Sequence, residues 1–245
     1  MSISGKKIIP PVLYKDESLI AIDKPPGYSV LGERDGAPDL LTLLRDLQGE
    51  NVAVVHRLDK DTSGVLLFAL TENAAREISR QFQEREVSKM YLALVRGEPF
   101  RDEWLIDLSL APTGAGNRMR VTEKGKGKES STRVEVAERF AGFALVRAFP
   151  ETGRKHQIRV HLRADGLPLA VDPVYGGAEA LYLSEFRKGY TASRRGPESP
   201  LLSRLSLHAA CLTFRHPVTK EYLTLEAPLP KDIERALRAL RKYAV

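Results

Sequence analysis

Short apolar runs, each closed off by turn residues, constrain the fold of this chain more than any other feature of its sequence. Leu19–Ile22 runs into Asp23-Lys24-Pro25-Pro26-Gly27, where the prolines fix φ and remove amide donors. Val52–Val55 and Val65–Leu70 have the length and β-branching of buried strands. Tyr91–Val95 is a further strand, closed by Gly97, and Leu207–Phe214 another. Val134–Val136 and Phe143–Val146 flank Ala141-Gly142, which predicts two strands and a tight connection. Ile158, Val160 and Leu162 alternate with Arg159, His161 and Arg163, the period of a half-buried strand with a basic face. Helical spacing is confined to a few places. Asp39 precedes Leu40, Leu41, Leu43, Leu44 and Leu47; Thr71, an N-cap type, precedes Ala74, Ala75, Ile78 and Phe82; Ile233, Leu237, Leu240 and Tyr243 form one stripe after Pro230. Many strands with a few dispersed helices predict one α+β domain spanning 1–245, closed by a C-terminal helix over 231–245.

A chain of 245 residues can bury roughly 70–75% of its unfolded surface and needs no disulfide or metal to hold a core. Its one cysteine, Cys211, cannot form an intrachain disulfide and reads as a small buried thiol. The first eleven residues lack an apolar stretch of signal-peptide length, and no run approaches the ~18 apolar residues of a membrane span. A cytoplasmic protein is expected, and nothing in the pattern signals an obligate dimer, so a monomer is expected too.

The net charge of +6 is unevenly spread. Residues 1–50 carry six basic and eight acidic side chains, whereas Arg118–Arg133, Arg147–Arg163 and Arg187–Arg204 each net +4. Brought to one face, these three windows would attract a polyanion. Two basic stretches, Gly114–Gly127 and Gly176–Pro200, lack a core-forming pattern and read as loops. The first has no phosphate-cradle spacing of the GxxxxGK[ST] kind.

The stretch richest in chemistry is His56-Arg57-Leu58-Asp59-Lys60-Asp61-Thr62-Ser63-Gly64, a polar loop pinned between two apolar runs. Such pinning holds a reactive group rigidly. Asp59 and Asp61 are the candidate acids, although carboxylates in a turn often bond only their own backbone. Thr62, Ser63 and Gly64 can close the turn. Five histidines raise the question of a metal, but His156 and His161 fall on opposite faces of the expected strand, which is poor ligand geometry. No metal is expected.

HRLDKDTSG at 56–64 resembles the HRLDxxTSG motif of the RluA-type RNA pseudouridine synthases. Other stretches resemble the family's elements in the same order: Asp23–Gly27; Lys89–Val95, like KxYxAxV; Gly153–His161, like GRxHQIRVH; and Leu207-His208-Ala209 followed by Phe214, His216 and Pro217. Together they cover about residues 12–230. The resemblance implies a single catalytic domain on a curved, mostly antiparallel mixed sheet, acting on ribosomal or transfer RNA. It implies that Asp59 is the essential aspartate, that Tyr91 stacks on the target base and that Arg159 pairs with Asp59. Arg57 matches an arginine that fills the gap left by a flipped base, and Leu212 an apolar residue under the site. His56, Thr62, Arg154, Lys155 and His156, within the matched motifs, are expected at the RNA, as are Arg118, Arg120, Arg194 and Arg195 from the basic windows. The chain departs from the family pattern at Lys155, where a threonine or small polar residue is usual, and at Val171, where a glycine commonly precedes the aspartate. The 176–204 segment is long, and the N-terminal S4-like RNA-binding domain of many relatives is expected to be absent.

The chemistry fits these residue types. Pseudouridylation breaks the bond from ribose C1′ to base N1, turns the base and joins C1′ to C5. It is an isomerisation, so no redox cofactor, nucleotide or metal is required. A carboxylate serves as nucleophile or base, a guanidinium orients it, and an aromatic face holds a uracil for ~1–3 kcal/mol. Reaching the base requires flipping it out of its stack. Two other readings are open to the same residues. One is a catalytically idle RNA-binding module of this fold. The other is a hydrolase using Asp59 and Asp61, for which the three basic windows would have no purpose on a neutral sugar.

Overall fold

The computed structural model describes residues 10–32, 39–114, 118–123, 125–191 and 196–244. In chain order the elements are β1 (Val12–Lys15), β2 (Leu19–Lys24), α1 (Leu40–Gln48), β3 (Ala53–Val54), β4 (Ser63–Ala69), α2 (Glu72–Gln83), β5 (Ser88–Arg96), β6 (Glu103–Asp107), β7 (Ser109–Pro112), β8 (Met119–Thr122), β9 (Ser131–Phe140), β10 (Phe143–Pro150), α3 (Gln157–Ala164), β11 (Leu207–Arg215), β12 (Tyr222–Glu226) and α4 (Lys231–Tyr243). One turn of 3-10 helix covers Leu183–Glu185.

A ten-stranded mixed sheet runs β1-β2-β4-β11-β5-β10-β9-β6, with β3 on β4 and β12 on β11. Its described pairings are antiparallel apart from β4 with β11. β7 and β8 form a separate two-stranded hairpin. The architecture is thus α+β, as the strand-rich pattern predicts. β2 and β4 are continuous apolar runs because both faces of the sheet are covered. Leu19 and Ala21 pack with Ala74 and Ile78 of α2 on one side, while Ile20 and Ile22 pack with Leu40, Leu43 and Leu44 of α1 on the other. Farther along, Ala93 and Val95 meet Ile158 and Leu162 of α3, and Leu94 meets Leu237 and Leu240 of α4. The predicted caps form. Asp39 accepts from the Thr42 amide at 2.9 Å and Thr71 from the Ala74 amide at 3.2 Å.

The structure corrects several sequence expectations. The expected basic-faced strand at 158–163 is α3. Ile158 and Leu162 are four apart, so alternation and helical spacing coincide over so short a run. The polar positions that mimic a wet strand face are themselves buried: Gln157, Arg159 and His161 are all enclosed, each with its own partners. His161 lies against Ser130, Thr132 and the Leu108 carbonyl, a structural hydrogen-bonding role. The expected Val52–Val55 strand shrinks to the two residues of β3. The Gly114–Gly127 stretch is no plain loop, since β8 within it pairs with β7. Cys211 is only partly buried.

Candidate active site

The 56–64 loop is fastened from below by a lysine. Lys24 is fully buried at the end of β2, and its Nζ donates to the carbonyls of Pro25 (3.0 Å), Lys60 (2.6 Å) and Thr62 (2.8 Å). Burial pushes this ammonium down to about 7, with Asp61 and Asp59 opposing. Three carbonyl acceptors need three N–H groups, which favours the charged form. The Gly27 amide also donates to the Lys60 carbonyl, at 2.9 Å. The Asp23–Gly27 turn is therefore the floor of the Asp59 loop.

Gly64 sets the loop's other end. Its φ is +114, and a Cβ there would lie 2.1 Å from the Ala209 carbonyl oxygen. Only glycine lets β4 approach β11 this closely. Across β11, Ala209 pairs with Tyr91 of β5. The close approach thus brings the Asp59 loop and Tyr91 to the same part of the sheet. Tyr91 is half-buried, and burial, then the charge of Asp59, pushes its hydroxyl well above the ordinary tyrosine range.

Arg159 reaches the loop from α3. Its Nη1 donates to Asp59 Oδ2 at 3.2 Å, while Nε and Nη2 fork Asp172 at 2.8 Å each. Burial works against the guanidinium's charge, but the bonds and charge of Asp172, then Asp59, outweigh it and raise its pKa. The Asp172 side chain is 2% exposed and its Oδ1 also accepts from the amides of Val174 and Tyr175. Arg159 Cζ lies 4.9 Å from the centre of the Tyr175 ring. His156 completes the group, with Nε2 3.8 Å from Asp59 Oδ1. The arrangement is a half-exposed carboxylate, oriented by a rigidly held guanidinium, beside an aromatic ring.

The structure distributes the other sequence candidates unevenly. Arg57, Lys155, Arg118 and Arg120 are exposed. Arg154 is partly buried, its Nε donating to the Glu129 carbonyl at 3.1 Å. Arg194 and Arg195 lie outside the described residues. His56 has a structural place instead of one at the surface. Its Nε2 accepts from the Leu67 amide at 2.9 Å, its ring stacks on Phe82, and burial pushes its pKa down to about 3. Thr62 is buried. Leu212 packs with Leu19, Val65, Ile78 and Phe214, whereas the β11 residues that pack in Tyr91's clusters are Leu207 and Ala209. The β11 register shifts between Ala209 and Cys211, so counting along the strand past that point loses the phase. Nor are the basic windows wholly free. Arg133 pairs with Glu103 and Glu135, and Arg204 forks Asp232 of α4. The geometry adds Lys24, Asp172 and Tyr175 to the site. Lys24, the last residue of β2 and next to Asp23, carries no such signal in the sequence.

The profile of the family described as RNA pseudouridylate synthase matches residues 18–164. The chain is 40% identical over 238 residues to the ribosomal large subunit pseudouridine synthase C of Salmonella typhi, covering 95% of this chain and 70% of that protein. This chain belongs to the RNA pseudouridylate synthase family. The Escherichia coli K12 protein of the same name is 40% identical over 235 residues, with 94% of this chain and 70% of that one covered. Among solved structures, human RNA pseudouridylate synthase domain containing 4 superposes with a TM-score of 0.70 at 26% identity, over 94% of this chain and 92% of that one. Human RNA pseudouridylate synthase domain containing 1 gives 0.65 at 27%, over 98% of each. The chain is accordingly an isomerase of RNA uridines, and the reading as a catalytically idle module is not favoured.

Proposed function

We propose that this pseudouridine synthase acts as one catalytic domain on large-subunit ribosomal RNA, with Asp59 as the reacting carboxylate. The observation that carries the site assignment is the Arg159 bridge. One buried guanidinium holds Asp172 through two bonds and presents its third edge to Asp59. A carboxylate oriented in this way keeps its free edge for the ribose or the base. The target uridine leaves its stack and lies on Tyr91. The exposed Arg57 occupies the space it vacates, and Arg118, Arg120 and Lys155 hold phosphates around it. The C1′–N1 bond breaks, the base turns, C1′ joins C5, the C5 hydrogen leaves as a proton, and N1 takes up a proton in its place. The choice of ribosomal RNA rests on the names of the similar bacterial proteins.

The experiment uses unmodified large-subunit ribosomal RNA and, separately, unmodified transfer RNA, each tritiated at uridine C5. Forming the C1′–C5 bond must expel the label. Release from the ribosomal pool by wild type, and none by Asp59→Asn, is expected. Release from the transfer RNA alone would overturn the substrate assignment, and full release by Asp59→Asn would overturn the role of Asp59.

A further inference from the structure

Tyr175 ties the active site to the β7–β8 hairpin. Its ring is buried between α3 and that hairpin, packed with Val160, Leu110, Met119 and Val121. Its hydroxyl oxygen accepts from the Met119 amide at 2.8 Å, at the first residue of β8. The same oxygen lies 2.7 Å from His156 Nδ1. A phenol has one proton to donate. Among the described residues, the acceptor within reach of it is His156 Nδ1. With the Met119 amide donating on one side of the oxygen, the phenol's own hydrogen can point at the imidazole. Nδ1 must then present a lone pair, so the proton of a neutral imidazole sits on Nε2. Nε2 is the nitrogen that faces Asp59.

The backbone supports a deliberate placement. His156 has φ 54 and ψ 20, in the left-handed region, at the entry to α3. Few non-glycine residues adopt this conformation, and such strain gathers where a side chain must be aimed. The groups facing His156 are Asp59, Arg159, Lys155, Asp172 and Tyr175. Burial lowers its pKa, Arg159 and Lys155 lower it further, and Asp59 and Asp172 oppose them, so the neutral ring is favoured.

We propose that Tyr175 is a positioning residue that fixes the Nε2–H tautomer of His156, aims that N–H at Asp59, and does so only while the β7–β8 hairpin is seated. The hairpin carries Arg118 and Arg120, both exposed. Engagement of RNA phosphates by these arginines holds the Met119 amide on Tyr175 and hence the proton on Nε2. If the hairpin lifts, the phenol oxygen is free to accept from Nδ1–H, and the N–H aimed at Asp59 is lost. The inference rests on the reading of Asp59 as the reacting carboxylate.

The test begins without RNA. The full chain is labelled with 15N-histidine, and the His156 signals are identified by their loss in His156→Gln. Nitrogen shifts then report the tautomer directly. Wild type is expected to show Nε2–H. Tyr175→Phe keeps the ring and removes the hydroxyl, and it is expected to move His156 toward Nδ1–H or a mixture. Should Tyr175→Phe fold poorly, Met119→Pro removes the amide donor together with the Met119 side chain's packing on the ring, and is expected to produce the same shift. An Nδ1–H wild type, or an unchanged tautomer in both variants, would overturn the proposal. In the tritium assay under saturating RNA, Tyr175→Phe is expected to lose about tenfold to a hundredfold in rate, with RNA affinity within about twofold. A shifted tautomer with an unchanged rate would overturn its part in positioning. Absence of release by wild type would instead overturn the proposed function and leave the tautomer result standing.

Discussion

Replacing Asp172 with asparagine tests whether the Arg159 bridge is what the geometry implies. The Arg159 side chain is 8% exposed and Asp172 2%. Removing one partner of so buried a pair leaves an uncompensated charge and costs ~3–5 kcal/mol. Asp59 stays within 3.2 Å of Nη1 and offsets part of this, so the lower end, about 3 kcal/mol, is expected. The asparagine oxygen can still accept from the Val174 and Tyr175 amides, so the loss reports the ion pair and not the turn. Urea titration should show that loss, and the melting temperature should fall by roughly 6–12 °C. Freed from its fork, Arg159 no longer orients Asp59, so turnover should fall more than RNA binding does. The double variant Arg159→Met with Asp172→Asn removes both charges and keeps the acceptor for the Val174 and Tyr175 amides; it should regain most of the stability and remain inactive. A loss under about 1 kcal/mol in Asp172→Asn would refute the reasoning, because Asp59 or solvent would then be carrying the guanidinium's charge.

Gly64→Ala should cost far more than the ~1–2 kcal/mol of a left-handed residue alone, because its Cβ meets the fixed Ala209 backbone. Gly27→Ala, with φ +83 and open space around it, is the control and should cost about 1 kcal/mol in the same urea titration. His208 is fully buried between Ser63 and the Ala227 carbonyl, and burial lowers its pKa to about 4. The unfolded chain takes up this proton near 6.5 and the fold does not, so stability should drop as pH falls from about 6.5 to 4, by up to on the order of 3 kcal/mol. His208→Asn should show a shallower acid slope than wild type between those two pH values. Arg118→Ala with Arg120→Ala should weaken binding of every RNA alike and flatten the plot of log affinity against log salt by roughly 0.7 for each phosphate no longer neutralised. An unchanged slope would mean that the hairpin does not touch phosphate.

Local chemistry was legible wherever it was also the deciding force. Asp39 and Thr71 cap helices because an N-cap needs only its own side chain and an amide three residues on. The β9–β10 hairpin is marked by Ala141-Gly142 because Gly142 adopts φ 77, which other residues resist. Asp59, Arg159 and His156 converge, but no spacing rule shows it, since the bond from Arg159 to Asp59 joins residues 100 apart in the chain. Asp172 looks like any turn carboxylate, and Tyr175 like any core tyrosine. Their use is visible only once α3 is known to be a helix. The misreading of that helix has one physical cause. Periodicity assumes that polar residues face water, and here Gln157, Arg159 and His161 face inward, each satisfied by a partner from another element. A segment buried on nearly every side breaks that assumption. A chain that turns its polar residues inward must supply partners for each of them, and in α3 the partner supplied to Arg159 is the pair of carboxylates at the site itself. The segment is hard to read from the sequence because its polar residues find partners inside the fold, and one of them, Arg159, serves the site.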